Sequence, residues 1–588
     1  MKKNIVFLVV DSLMSDRMFS NEYGLSTTPF LDSIKNQCVI ARNVYAQGPF
    51  TEAGTKGLLT GRDTLDDEGY FLRYHKSKTF ITNIFKDAGY QTHSLIYPTC
   101  LYSDWIFDKL DGIYYTSEML YDVFWEQKFK HYIEYKKNNK LDKRDIQDCI
   151  ELFDVIFVAW LKFLNPDSEK ERVLLEPFDR DFNYSEKFNI LSNEYERFKR
   201  DKEGYVDEYL NVAPAHPINN IKSEITANFI CNEAINGAFA LHKKFEKRLV
   251  QKQFFYNLKN NRLTLQCLKS MMESLKKVID KQTFGEAVYW LKTLTRGKDV
   301  WRYKKGKDYK QLLSARTQLK HIENLLNTDT NVPKFITAHL EEPHYFTTFF
   351  SYDSGDENLI SAELDYADEY VKSLKGNYRG LISYDLAIRY IDRQIEDFVD
   401  DLEKTGELDN TIICIVADHG SSYNCYPYRH RIVNNCHTEN FKIPFIIYEK
   451  GSVKREISHI ATSKDVIPTI LDYIGEEVPM EITGESLLNA NCDKKFAITE
   501  YMGPGCPDMR RNKACITIRN RRYLIAFESN LKEAFNEHNI TEIYDLSVDK
   551  LEMCNIKSVR NEQINEMISA LNKRYDEICV DNNIWINS

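Results

Sequence analysis

Four residues of this chain have the types that a group-transfer site needs, at the places in a chain where such sites form. Asp11 follows an apolar, β-branched run, NIVFLVV (4–10), and Asp418 and His419 follow another, TIICIVA (411–417). Thr51 comes after a Gly-Pro-Phe turn and opens TEAGTKGLLTG, which reads as a helix start. In open α/β sheets, sites assemble outside the carboxyl ends of strands. Two carboxylates and an imidazole have the donor chemistry to hold a divalent metal, with a hydroxyl oxygen completing the shell. A cation beside Thr51 would lower the pKa of its hydroxyl and make it a nucleophile near neutral pH. Amides at the start of the following helix, together with Lys56, would favour an anionic group there. Taken singly, each feature has an ordinary structural reading. An Asp after a strand caps a turn, a Thr after such a turn caps a helix, and Asp-His-Gly is itself a turn. Their order and spacing carry the functional reading.

The elements that must position these residues can be read from periodicity. Residues 4–10 form a continuous apolar run, as a central parallel strand covered on both faces requires. Residues 28–36 read as a helix opened by Thr28 with Pro29 at its first position, and 39–46 as a strand. Residues 79–87 suggest a helix and QTHSLIYP (91–98) a strand, so the alternation is that of an α/β sheet. From about 118 to 330 glycines become scarce and apolar residues recur at helical spacing, as in IQDCIELFDVIFVAWLKFL (146–164) and LQCLKSMMESLKKVI (265–279). This reads as a large, mainly helical insertion. The α/β pattern resumes with strand 334–340, a long helix at 379–404 ending near Gly406, strands at 411–417 and 442–448, a helix closed by Gly475, and a late strand in RRYLIAF (521–527). The expected organisation is an α/β core of 1–117 and 331–490, the insertion 118–330, which we expect to shape access to the site, and a smaller C-terminal α+β part, 491–588.

Bulk properties exclude some functions. The 588 residues are 43% hydrophobic, as in a globular chain, and the formal net charge is −10 with Lys and Arg dispersed. Nucleic-acid binding needs a basic stripe and is disfavoured. The 13 Cys show no CxxC pair or metal-finger spacing, which fits reduced thiols in a cytoplasm better than a disulfide framework. No apolar segment reaches the roughly 18–20 residues needed to cross a bilayer. The N-terminal run leads straight into Asp11 and Ser12 with no small-residue cleavage site, so we expect a cytoplasmic protein without a transmembrane segment.

At this level of detail the chain resembles the sulfatase-type members of the alkaline phosphatase superfamily. The resemblance rests on NIVFLVVDSL, TTPFLDSIKNQCVIARNVYAQGPFTEAGTKGLLTGR, HLEEPHYF, YDLAIRYIDRQIEDFVDDLEKTGELDNTIICIVADHG, HTENFKIPFIIY, SKDVIPTILDYIG with ITGESLL, and the closing ITEIYDLSVDKLEMCNI. It covers roughly 1–110 and 330–560. The insertion has no counterpart in it. It implies an alkaline phosphatase-like, mostly parallel mixed sheet sandwiched by helices. It also implies metal ligation by Asp11, Thr51, Asp418 and His419, with Thr51 as nucleophile at the head of a signature that ends in Leu58–Arg62. His339 and His344 match the family's histidine-rich segment that contacts substrate oxygens or the leaving group. His437 and Glu439 match a basic and an acidic residue near the site.

Departures from the family pattern shape the functional expectation. Sulfatases carry Cys or Ser at the nucleophile, converted to formylglycine within C/S-x-P-S-R, whereas this chain has Thr51-Glu52-Ala53-Gly54-Thr55-Lys56. A Thr at that position resembles the phospho-group branches, such as phosphoethanolamine transferases and the lipoteichoic acid synthase catalytic domain. Ser12 replaces the usual second Asp, which leaves fewer carboxylates. That fits manganese or zinc, with calcium or magnesium also admitted. The leading expectation is therefore a hydrolase or transferase of small-molecule or glycan-linked phosphate esters, working through phosphothreonine. Lys56 and His344 would stabilise the transferring group, and His339 or His437 would protonate the leaving group. The alternatives are a sulfuric ester hydrolase and an inactive sulfatase-fold binding protein. Thr55, one turn after Thr51, is the other hydroxyl that could serve as nucleophile.

Overall fold

Runs that are apolar on both faces become central strands, and here they do so next to one another. In the computed structural model these are β1 (Asn4–Val10), β2 (Cys38–Tyr45), β3 (Gln91–Leu95) and β4 (Gly112–Thr116); then come a short β5 (Ile230–Asn232), β6 (Lys334–Leu340), β7 (Thr411–Ala417), β8 (Lys442–Tyr448), β9 (Arg455–Ile457) and β10 (Ala461–Thr462). The structure describes residues 2–19, 27–67, 69–70, 77–95, 111–116, 127–165, 183–219, 230–232, 315–328, 331–344, 379–421, 436–489, 494–502, 513–550 and 552–581. These fall into two compact units, Met1–Tyr114 with Leu313–Ser588, and Tyr115–Leu312.

In the first unit the strands run β10-β2-β8-β7-β1-β6-β3-β4, with β9 also paired to β2. Every pairing is parallel except those of β8, which runs antiparallel to both β7 and β2. β1, β6 and β7 are buried at every position, as a strand covered on both faces must be. The helix Arg379–Thr405 buries Tyr384, Ala387, Ile388, Ile391, Ile395, Phe398 and Leu402, a stripe at helical spacing, and stops at Gly406, whose φ is 82°. The chain ends in a four-stranded antiparallel sheet, β11 (Ala497–Tyr501), β12 (Ala514–Arg519), β13 (Tyr523–Ser529) and β14 (Ile540–Asp545), packed by the helix Glu562–Asp581. The architecture is thus α/β with a mixed, mostly parallel sheet and a smaller antiparallel sheet toward the C-terminus.

Two local expectations change. The helix Pro29–Ile34 is not capped by the Thr28 side chain; Asp392, from the long helix, accepts the amides of Phe30 (2.8 Å) and Leu31 (3.1 Å) instead. Thr28 Oγ1 accepts the amide of Phe19 at 2.7 Å and is unavailable as a cap. The helix Ala315–Leu326, expected inside the insertion, belongs to the first unit, where it packs on β6 and on Arg379–Thr405. Its apolar residues Leu319, Ile322, Leu325 and Leu326 are buried, and that burial moves the boundary earlier than 330.

The described residues of the second unit are mainly helical, with helices Gln127–Lys137, Lys143–Leu164, Tyr184–Arg200 and Lys202–Val212 beside the short strand β5 and the end of β4. Asp142 and Asp145 form a capping box at the start of Lys143–Leu164. The segment 265–279, read as helical in the sequence, lies outside the described residues. Aromatic rings build this unit's core. Phe153 is fully buried, with ring centroids 5.0 Å from Phe129, 5.6 Å from Phe198, 5.3 Å from Tyr205 and 5.1 Å from Tyr209. No helix among the described residues is long and apolar enough to cross a membrane. Phe153→Ala should destabilise the helical unit by about 3–5 kcal/mol, because it removes transfer free energy and leaves a cavity. Chemical denaturation followed by far-ultraviolet circular dichroism tests this, and an unchanged transition would contradict the packing described.

Candidate active site

Strand register brings the acidic residues together. β1 lies between β6 and β7, with Val10 opposite Ala417 on one side and Val9 opposite His339 on the other. Asp11 and Asp418 therefore leave adjacent strands side by side, and the Asp11 amide donates to the Leu340 carbonyl at 2.8 Å. Asp418 Oδ1 accepts the amides of Ser12 (3.0 Å) and His419 (2.8 Å). Ser12 sits at φ 62°, a left-handed conformation uncommon outside glycine. The Tyr384 hydroxyl holds this turn, donating to the Ser12 carbonyl at 2.6 Å and accepting from the Met14 amide at 2.9 Å. Ser12 Oγ donates to Asp11 Oδ1 at 2.7 Å.

Thr51 is the first residue of the helix Thr51–Thr60, and the extended Phe50 before it supplies no side-chain cap. The Thr51 hydroxyl is therefore not the helix cap, and its Oγ1 lies 3.3 Å from His419 Nε2. Thr55 Oγ1 instead donates back to the Thr51 carbonyl, so the helix itself uses that hydroxyl. Glycine permits this arrangement. A Cβ on Gly54 would lie 2.2 Å from the Asp418 carbonyl oxygen, so the helix start and the end of β7 can meet only where there is no side chain.

The imidazoles surround the carboxylates. His419 Nδ1 lies 2.5 Å from the Gly420 carbonyl oxygen, which can only accept, so the Nδ1 proton is held there and Nε2 faces the carboxylates. That Nε2 is 3.5 Å from both Asp11 Oδ1 and Asp418 Oδ2. His344 Nδ1 is 3.1 Å from Asp11 Oδ1. His339 Nε2 is 3.4 Å from Asp11 Oδ2 and 3.9 Å from Asp418 Oδ2. Burial alone would raise the Asp11 carboxyl, but His344 and His339 hold it well below the usual range. Asp418 is raised by burial and by the neighbouring Asp11 charge. Burial works against protonation of both His339 and His344, yet contact with Asp11 and the added charge of Asp418 lift each to about 9.

The donor set fits a divalent cation. Asp11, His344 and His419 form one group of ligand atoms within 4.8 Å of one another, and Asp11, His339 and Asp418 form another. His339 Nε2 and Asp418 Oδ2 are buried with no hydrogen-bond partner among the described residues, a costly state that a cation between them would relieve. The 3.3–3.5 Å separations of His419 Nε2 from Thr51, Asp11 and Asp418 match the edge of about 3.4 Å expected between ligands bonded at roughly 2.0–2.1 Å in a tetrahedral shell.

Asp11, Thr51, His339, His344, Asp418 and His419 thus come together. Lys56 does not join them. It is fully buried, its Nζ donates to Ser77 Oγ, and burial lowers it to about 8 against the charges of Asp67 and Asp66. It faces the interior because it lies on a buried face of its helix, where every residue from Ala53 to Thr60 is covered. The contacts of His437 also lie elsewhere, with Nδ1 2.7 Å from Glu552 Oε2. Glu439 lies in the short helix Thr438–Phe441, where its carbonyl oxygen would be 1.9 Å from a Cβ on Gly420. Sequence reasoning gave no site role to Ser12, Tyr384, Glu52 or Glu341. Glu341 is buried with neither carboxylate oxygen hydrogen-bonded among the described residues, and burial raises it to about 8 in the field of His339, Asp11 and His344. The EEPH string (341–344) was the only signal for it.

Adjacent strand ends thus carry this donor set beneath a hydroxyl at a helix start. The sulfatase family profile matches residues 3–168 and 245–476, well over half of the chain, and a profile described as "N-sulphoglucosamine sulphohydrolase, C-terminal" matches 428–581. The chain belongs to the sulfatase family. It is 24% identical over 207 residues to an arylsulfatase of Clostridium perfringens, covering 34% of this chain and 40% of that protein. It is 25% identical over 286 residues to an N-acetylglucosamine-6-O-sulfatase of Bacteroides thetaiotaomicron, covering 45% and 50%. The chain thus spans half or less of the length of these relatives. The solved phosphonate monoester hydrolase of Agrobacterium radiobacter superposes with a TM-score of 0.46 at 12% identity, over 99% of this chain and 96% of that one.

Asp418→Asn and His419→Ala should each weaken divalent-metal affinity on the order of 100-fold, since each removes a direct ligand where even supporting residues are worth 10–100-fold. Metal analysis by plasma mass spectrometry after equilibrium dialysis checks this. Full loading of both variants would remove them from the ligand set.

Proposed function

We propose that this sulfatase-family chain is a metal-dependent hydrolase of phosphate esters, with Thr51 as nucleophile and phosphothreonine as covalent intermediate. The observation that carries this reading is the Thr51 hydroxyl, which caps nothing and lies 3.3 Å from His419 Nε2 beside the two buried carboxylates. When bound by Asp11, Asp418, His419 and Thr51, a divalent cation supplies charge stabilisation and lowers the pKa of a neighbouring hydroxyl. Thr51 Oγ, having given its proton to solvent, attacks phosphorus in line. A new P–O bond forms and the ester P–O bond breaks. His344 is the suitable proton donor to the departing alkoxide. Its side chain is 25% exposed where that of His339 is 3% exposed. Water then attacks phosphorus of phosphothreonine, releases phosphate and restores Thr51. The substrate is a small-molecule or sugar-borne ester; the similarity to an N-acetylglucosamine-6-O-sulfatase of Bacteroides supports the sugar.

A second reading, hydrolysis of sulfate esters, is favoured by the family match and by the names of both relatives. It must work without the formylglycine that the family resemblance would call for, because Thr cannot be converted to that aldehyde.

Turnover of p-nitrophenyl phosphate, bis-p-nitrophenyl phosphate and p-nitrophenyl sulfate, each with added manganese, zinc, magnesium or calcium, separates the readings. Phosphate-ester turnover is expected. Sulfate turnover with inert phosphates would establish the second reading, and no turnover at all would favour a binding protein. Thr51→Ala should lower the rate on the order of a thousandfold or more while leaving most of the metal affinity. Protein quenched during turnover should carry one added phosphoryl group on the Thr51 peptide. Near-normal rates in Thr51→Ala would overturn the nucleophile.

A further inference from the structure

A second set of metal-type donors lies outside the Asp11 pocket. Cys436 and His437 precede the short helix Thr438–Phe441, and Glu542 projects from β14 of the C-terminal sheet. Ligand atoms of these three residues lie within 4.8 Å of one another. Cys436 is fully buried, and its Sγ donates to Glu542 Oε2 at 2.9 Å. Burial and the Glu542 charge push the thiol well up, so it is the protonated form that makes this contact.

The surroundings are those of a built site. Glu552 is buried, its Oε2 lies 2.7 Å from His437 Nδ1, and it accepts the Thr438 amide at 3.1 Å and 3.2 Å. A carboxylate that accepts the Nδ1–H hydrogen bond fixes the ring orientation and turns Nε2 away from itself, which is how metal-ligating histidines are oriented. Glu552 itself sits at φ 53°, a conformation few non-glycine residues adopt. The fully buried Arg519 donates to Thr438 Oγ1 at 3.1 Å and to the Cys436 carbonyl at 3.3 Å, and its guanidinium lies over the rings of Tyr45 (4.6 Å) and Phe441 (5.1 Å). The charges can close. A Cys436 thiolate, Glu542 and Glu552 supply three negative charges, and Arg519 and one divalent cation balance them.

We propose that Cys436, His437 and Glu542 bind a borderline-soft divalent cation of the zinc type at a site of their own, with Glu552 orienting His437. One thiolate, one imidazole and one carboxylate are a zinc donor set with a fourth position open. On binding, the metal–sulfur bond forms, the Cys436 S–H proton passes to solvent, and the Cys436–Glu542 hydrogen bond is replaced by ligation of both groups. The site stands independently of the phosphate-ester reading and gives His437 a role away from the reacting group.

Cadmium titration of the full chain under reducing conditions tests this, read by the ultraviolet thiolate-to-cadmium charge-transfer absorption with zinc as competitor. One thiolate-bound ion per chain is expected in the wild type and also in Asp418→Asn, which disables the Asp11 pocket. Cys436→Ser should lose it, Glu542→Gln and His437→Gln should weaken it about tenfold or more, and Cys554→Ser, which removes an exposed thiol, should leave it unchanged. Circular dichroism confirms that each variant is folded, and the two non-cysteine variants test the site even if Cys436→Ser fails to fold. Absence of the band in the wild type, or its persistence in Cys436→Ser, would overturn the site and leave a hydrogen-bonded polar cluster. Because Asp418→Asn is read separately, this outcome does not depend on whether the Asp11 pocket is catalytic.

Discussion

The constraint on which the rest of the structure depends is the burial of two like charges at adjacent strand ends. Asp11 and Asp418 are 3% and 0% exposed, and strand register leaves them no room to separate. Two buried carboxylates with oxygens within 4.8 Å of each other repel and lose hydration, a state that persists only with specific compensation. The compensation is visible atom by atom. Two amides point at Asp418 Oδ1, a hydroxyl points at Asp11 Oδ1, and three imidazoles approach the remaining edges. Each of these contacts fixes a piece of backbone. The left-handed Ser12 turn exists because its amide must face Asp418 while its side chain faces Asp11, and Tyr384 holds it there.

The helix that presents Thr51 is held from its far end by a second ionic arrangement. Arg574, on the C-terminal helix, pairs with Glu500 at 2.7 and 2.9 Å and with Asp66 at 2.8 Å. Glu500 also accepts the Leu65 amide, while Asp63 is gripped by Lys464 and Gln47. These groups are largely buried, so each ion is costly alone and stable only as part of the set. The C-terminal sheet and helix therefore act on the site through the segment that follows Thr60. Lys56 lies among the charges of this arrangement, with Asp67 and Asp66 the first of them.

What could be read in the sequence was local or periodic. The runs 4–10 and 411–417 announced buried strands, and the residue just after each run was the one that mattered. The helix 379–405 was legible from its spacing and its closing glycine. What could not be read were partners distant in the chain. Asp392 caps a helix some 360 residues away, and Glu552 takes His437 from more than a hundred residues downstream. Nothing in the composition of either neighbourhood signals these contacts. Lys56 was misplaced for a related reason. Its position near a helix start suggested an anion site, but the face it occupies is set by packing against Ser77 and the Asp66–Asp67 turn.

Choice between phosphate and sulfate follows from the nucleophile more than from the pocket. Both esters present a tetrahedral anion, and buried imidazoles beside a cation-binding carboxylate pair attract either one. The difference arises after the first bond has formed. A phosphoryl group on a threonine oxygen remains open to attack by water at phosphorus, so a plain hydroxyl can be regenerated by the same in-line displacement that consumed it. A sulfuryl group handled through an aldehyde hydrate needs a second hydroxyl on the same carbon to expel it, and the Thr51 Cβ carries a methyl group in that place. Thr55 cannot supply the missing hydroxyl, because its Oγ1 is committed to the carbonyl one turn back and its helix is pressed against Asp418 through Gly54. On the proposed reading the pocket accepts either anion, and it is the methyl group in place of a second hydroxyl at position 51 that argues for phosphate.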